Sequence, residues 1–106
     1  MTDRHIQLAS VLMDIEAALR QHELWAQDAP SEEQLASTQP FCIDTLEFPQ
    51  WVQFVMLPRF YAMIEVRAEL PERCSIHPVA EMYFQGLDKE VTALMAALRE
   101  LDGLFG

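Results

Sequence analysis

Residues 48 to 66 would be apolar on almost every side of a helix: Trp51, Val52, Phe54, Val55, Met56, Leu57, Phe60, Tyr61, Met63 and Ile64 lie within them. A helix greasy all round is the central one of a bundle, or it faces a partner. Pro49 suits its first turn, where a missing N–H costs nothing. Pro58 falls inside it, removes the bond to the Phe54 carbonyl, and predicts a kink there. Whatever else the chain forms must wrap around this segment.

The remaining periodicity supplies the wrapping. Leu8, Leu12, Ile15 and Leu19, widened by Val11, Ala18 and Trp25, make one stripe of a helix predicted over residues 3–26. Ser31-Glu-Glu-Gln34 reads as a capping box for a short turn. Asp44 and Glu47 repeat that pattern before the apolar helix. His77-Pro78 opens a shorter helix that Gly86 closes. Asp88 is placed to cap a last helix carrying Val91, Leu94, Met95, Leu98, Leu101 and Phe105. No segment alternates with period 2 between hairpin turns. The expectation is an all-α fold, an antiparallel up-and-down four-helix bundle with short extra helical turns. At 106 residues it should form a single domain spanning 1–106.

Charge narrows the partners. Seventeen acidic against seven basic residues leave a formal charge of −10, and residues 14–47 hold eight carboxylates against Arg20 alone. Such a surface repels phosphate backbones and anionic lipid, so direct nucleic-acid or membrane binding is not expected. The apolar-dense run from Trp51 to Ile64 is too short to span a bilayer. Met1-Thr-Asp-Arg-His5 leads into a charged, periodic segment and not a signal peptide. Cys42 and Cys74 match no zinc or redox spacing, which suits free thiols in a reducing cytoplasm.

Several of these residues together carry a family likeness. Ser37-Thr-Gln-Pro-Phe41 with Asp44-Thr45, then Trp51 and Leu57-Pro58-Arg59, resembles the signature of the YqcC-like family of small bacterial proteins. Leu70-Pro71, Glu81-Met82 and the closing Leu101, Asp102, Leu104 and Phe105 extend it over nearly the whole chain. The resemblance implies a cytosolic four-helix bundle. It also brings in a label, since family members are related by name to a tRNA pseudouridine synthase. Such synthases have a larger α/β catalytic domain with an aspartate in an Arg-Leu-Asp-type motif. Arg99-Glu-Leu-Asp102 departs from that motif and lies on an amphipathic helix, so Asp102 is predicted to be a solvated residue near the helix end.

The candidate sites are Gln39, Pro40, Phe41, Asp44, Thr45, Trp51, Pro58 and Arg59, read as a signature or interaction surface. Phe41 should plug its loop onto the bundle, with Gln39 bonding backbone groups. Arg59 should pair with a loop carboxylate or the freed Phe54 carbonyl. Asp44 and Glu47 could act as paired carboxylates, but their spacing is fully explained as a cap. His77 and Glu81 are half a metal site without a third ligand in evident spacing. His22 has no Ser or Cys placed for it to activate. Cys42 has no cationic neighbour in sequence to activate it. No catalytic constellation, cofactor motif or metal spacing is predicted. The reading is a non-catalytic helical module for a protein partner or for a second copy of itself. The alternatives are a role in tRNA modification beside a pseudouridine synthase, and an apolar small-molecule pocket at the Pro58 kink.

Overall fold

A computed structural model describes residues 3–105, and among them every regular element is helical. The order is α1 (Arg4–Gln21), α2 (Glu32–Leu35), a 3-10 turn (Pro40–Cys42), α3 (Phe48–Trp51), a π-helical segment (Val52–Met56), α4 (Leu57–Glu65), α5 (His77–Phe84) and α6 (Thr92–Phe105). The apolar stripe of α1 is buried as its spacing predicts: Leu8, Leu12, Ile15 and Leu19 are all fully inaccessible. They share one core with Leu94, Leu98 and Leu101 of α6, Val52, Met56, Leu57 and Phe60 of the central rod, and Ile76 and Ala80 at α5. Each of the larger side chains among them contributes about 1.5–3 kcal/mol through burial, and Ala80 less.

Contacts join α1 and α6 at both ends. Arg4, at the start of α1, donates to the Leu104 carbonyl and lies over the Phe105 ring at the end of α6. At the other end His22 Nδ1 sits 3.6 Å from Glu90, just before α6. Along the central rod, Asp3 and His5 reach Arg67 and the Ala68 carbonyl at 2.7 and 2.8 Å. Farther on, the buried Gln53 side chain accepts from Ala26 N–H at 2.8 Å and donates to its carbonyl at 2.9 Å. That pair of bonds satisfies a buried amide and holds the loop after α1 against the rod.

Three local expectations are corrected. The first helix ends at Gln21 and not near residue 26. His22 is its C-cap and Glu23 turns left-handed (φ 60°); Glu23 N–H then bonds the Arg20 carbonyl at 3.1 Å and Leu24 N–H the Leu19 carbonyl at 2.8 Å. This is a Schellman ending built without glycine. Arg67 (φ 49°) repeats it after α4, with Ala68 N–H on the Met63 carbonyl at 2.8 Å. Second, Asp88 does not cap α6; the Glu90 carboxylate takes the Thr92 N–H at 2.7 Å, and the Thr92 hydroxyl, followed by that N–H, holds its carboxyl below the usual range. Third, the apolar segment is not one unbroken α-helix, since it widens before Pro58. Val52–Met56 is π-helical, and Leu57 N–H bonds the Val52 carbonyl five residues back, so the chain absorbs the missing donor in a wider turn.

The two glycine-free endings give a test. A residue with a Cβ is strained in the left-handed region, and Glu23 is exposed and makes no side-chain bond that its loss would forfeit. Glu23→Gly is expected to raise stability by about 0.5–1 kcal/mol in urea unfolding followed by circular dichroism. Arg67→Gly should gain less, because it also removes the ion pair to Asp3.

Candidate functional site

The loop from Ser37 to Glu47 is held by its own polar residues. Ser31 and Gln34 form the predicted capping box, at 3.1 and 2.9 Å. Gln34 then ties to Thr45 twice: the Thr45 hydroxyl donates to the Gln34 carbonyl at 2.7 Å, and the Gln34 amide donates to the Thr45 carbonyl at 3.3 Å. The Ser37 hydroxyl donates to Asp44 and accepts from Gln39 N–H at 3.1 Å. Gln39 is extended and its carbonyl accepts from Cys42 N–H at 3.0 Å, while Pro40 opens the 3-10 turn. Asp44 therefore braces the loop. The cap of α3 lies three residues later than predicted, at Glu47, whose N–H bonds the Gln50 side chain at 2.9 Å.

Phe41 and Cys42 are both left-handed, with φ of 58° and 51°. Each such residue costs on the order of 1–3 kcal/mol and persists only where its surroundings over-determine it. The strain turns the Phe41 ring onto Trp51, centroids 4.7 Å apart and edge-on, as the predicted plug requires. Trp51 continues to Phe48 at 6.3 Å, and Phe48 to Tyr83 at 5.9 Å and Phe84 at 6.2 Å. Trp25 takes no part in this chain of rings; the Arg20 guanidinium covers it at 4.2 Å.

Against these rings lies an apolar groove of about 430 Å³. The loop and α3 supply Phe41, Ile43, Leu46 and Phe48 on one wall; α5 supplies Val79, Met82 and Tyr83 on the other. Ile43 and Met82 project from the two walls, 73% and 77% exposed. Glu47 stands at the rim, and burial followed by the Glu47 charge pushes the Tyr83 phenol up. Ile43, Leu46 and Val79 carry no signal in the sequence, since only the fold brings the two walls together. Met82 enters there only through the Glu81-Met82 match.

The other signature residues lie on the adjoining side of Trp51. A recess of about 250 Å³ is lined by Trp51, Met56, Phe60, Met63, Pro71 and Ile76 with Arg59 at its edge. Pro58 and Arg59 are exposed. Among the described residues Arg59 makes no ion pair with a carboxylate and no side-chain hydrogen bond to the Phe54 carbonyl, so neither predicted pairing forms. The signature thus divides into a braced loop, a shared tryptophan and an exposed Pro58-Arg59 corner.

The remaining candidates have structural partners. His77 Nδ1 pairs with Glu81 at 3.0 Å, and no cluster of three metal-ligating side chains occurs among the described residues. His22 is buried, with its Nε2 unbonded. Asp102 corrects the prediction of a solvated residue: its two carboxylate oxygens accept from Ile76 N–H at 3.0 Å and His77 N–H at 2.8 Å, capping α5 from across the fold. Burial, with Asp102 beside it, pushes the Cys74 thiol up to about 12, so the group is poorly ionised.

Comparison with known proteins places these features in a family. The family model described as DUF446, tRNA pseudouridine synthase C, matches residues 7–104. The chain is 35% identical over 101 residues to the uncharacterized protein YqcC of Escherichia coli, covering 95% of this chain and 93% of that protein. The solution NMR structure of the same E. coli protein superposes with a TM-score of 0.85 at 34% identity, over 98% of this chain and 89% of that one. A tRNA pseudouridine synthase C of Pectobacterium carotovorum is 41% identical over 68 residues, which are 64% of this chain and 18% of that protein.

Two measurements check the Asp102 cap. Asp102→Asn keeps one acceptor oxygen and should lose about 1–2 kcal/mol, whereas Asp88→Asn should change stability by less than about 0.5 kcal/mol. In a Cys42→Ser background, alkylation of native Cys74 at pH 8 should run roughly 10–100-fold slower than that of an unfolded-chain cysteine.

Proposed function

The chain belongs to the YqcC-like family, DUF446, and from that premise we propose that it is a non-catalytic helical module acting beside a tRNA pseudouridine synthase. The observation that carries the reading is the Pectobacterium protein of that name. A segment 41% identical to 68 residues of this chain is there one part of a longer polypeptide, 18% of its length. Joining a module to an enzyme in one chain raises its effective concentration at a shared surface. A separate chain of the same type must reach that surface by binding.

The site favours protein contact over catalysis. Asp102, the nearest counterpart to a synthase aspartate, has both oxygens engaged by backbone N–H groups. The charge of −10 opposes direct capture of tRNA. The groove offers exposed apolar side chains and aromatic rings, the residue types that dominate interface hot spots. The packing of α1 on α6, of α1 on α4 and of α5 on α6 supports reading the architecture as an up-and-down four-helix bundle in one domain. The proposed location is the cytoplasm, where two free thiols are compatible with a reducing compartment.

The test uses purified chain, unmodified tRNA and the tRNA pseudouridine synthase of the same organism. The chain alone should form no pseudouridine. It should bind the synthase with micromolar or tighter affinity by isothermal titration calorimetry and alter its rate on tRNA. Pseudouridine formed by the chain alone, or no binding to the synthase, would overturn the proposal.

A further inference from the structure

We infer that the groove between the 41–48 segment and α5 is the docking site for the synthase, and that its occupant is an apolar anchor flanked by lysine or arginine. This rests on the function proposed above. Three observations carry it. The groove is open and apolar, and it is the place where two of the most exposed large hydrophobic side chains, Ile43 and Met82, face one space. The wall holding Ile43 and Phe41 is kept in place by two consecutive left-handed residues, a strained arrangement of the kind found at ligand clamps. The third observation is charge.

The two walls, residues 41–48 and 77–84, contain Asp44, Glu47 and Glu81 and neither lysine nor arginine. Among the residues that line the groove, Glu47 is the single charged one. An apolar floor whose single charged lining residue is the Glu47 carboxylate favours an apolar segment with a cationic flank over an acidic one. A protein that grips tRNA carries such cations for its phosphate contacts, so its surface suits this rim. A second copy of this chain does not, because its own charge of −10 would meet the same sign.

The experiment measures binding of the purified synthase to the wild-type chain and to variants on two faces. Met82→Asp and Ile43→Asp alter the groove; Ile6→Asp and Met13→Asp alter α1 residues that are also well exposed, at 65% and 64%. Glu47→Gln removes the rim charge, and circular dichroism with urea unfolding checks that each variant is folded. The groove variants should weaken binding at least tenfold and the α1 variants less than twofold. Glu47→Gln should slow association and flatten its salt dependence. If wild type binds and the groove variants bind equally well, the docking site is refuted while the proposed function stands. If wild type does not bind, the function falls and the docking site with it.

Discussion

The seam between α1 and α6 is the contact on which the rest of the molecule depends. Leu8, Leu12, Ile15 and Leu19 close against a helix that begins some ninety residues later in the chain, and the leucines at 94, 98 and 101 are as fully buried as they are. Only when this long-range contact has formed do the other elements have something to pack on. The central rod lies against α1, tied by Asp3 to Arg67 at one end and Gln53 to Ala26 at the other. The short α5 hangs on α6 through Asp102. The groove opens directly on this core, because Phe48 belongs to both.

Most of the helical content was legible in the sequence because amphipathic spacing and capping are local. The Ser31–Gln34 box, the stripe of α1 and the first-turn Pro78 follow from neighbours within a few residues. What escaped had its cause elsewhere in the fold. Nothing near Glu23 or Arg67 announces a left-handed turn, since glycine is the usual signal and both positions lack it. Asp102 looks like a surface residue of its own helix, and only tertiary packing brings the N-terminus of α5 to it. The π-helical turn before Pro58 is a widening that local rules do not announce.

The candidate site was half legible for the same reason. The loop from Gln39 to Thr45 stood out by its signature, and the ring of Phe41 does dock it on Trp51. The opposite wall stood out less, because Met82 entered only through the Glu81-Met82 match and Val79 reads as an ordinary position of a short helix. The loop's polar residues turn out to brace it, so the side chains between them that make no such bonds are the apolar ones. A family signature can in this way mark the scaffold of a surface more plainly than the surface itself.

The cap on α5 has a consequence for the order of events during synthesis. Ile76, the residue at the N-cap position of α5, has no side chain able to accept a hydrogen bond, and the missing acceptor is borrowed from a helix translated later. While the ribosome has yet to deliver α6, α5 lacks both its cap and the helix it packs on, and one wall of the groove is missing. A nascent chain therefore presents no finished groove until α6 has been made and has packed.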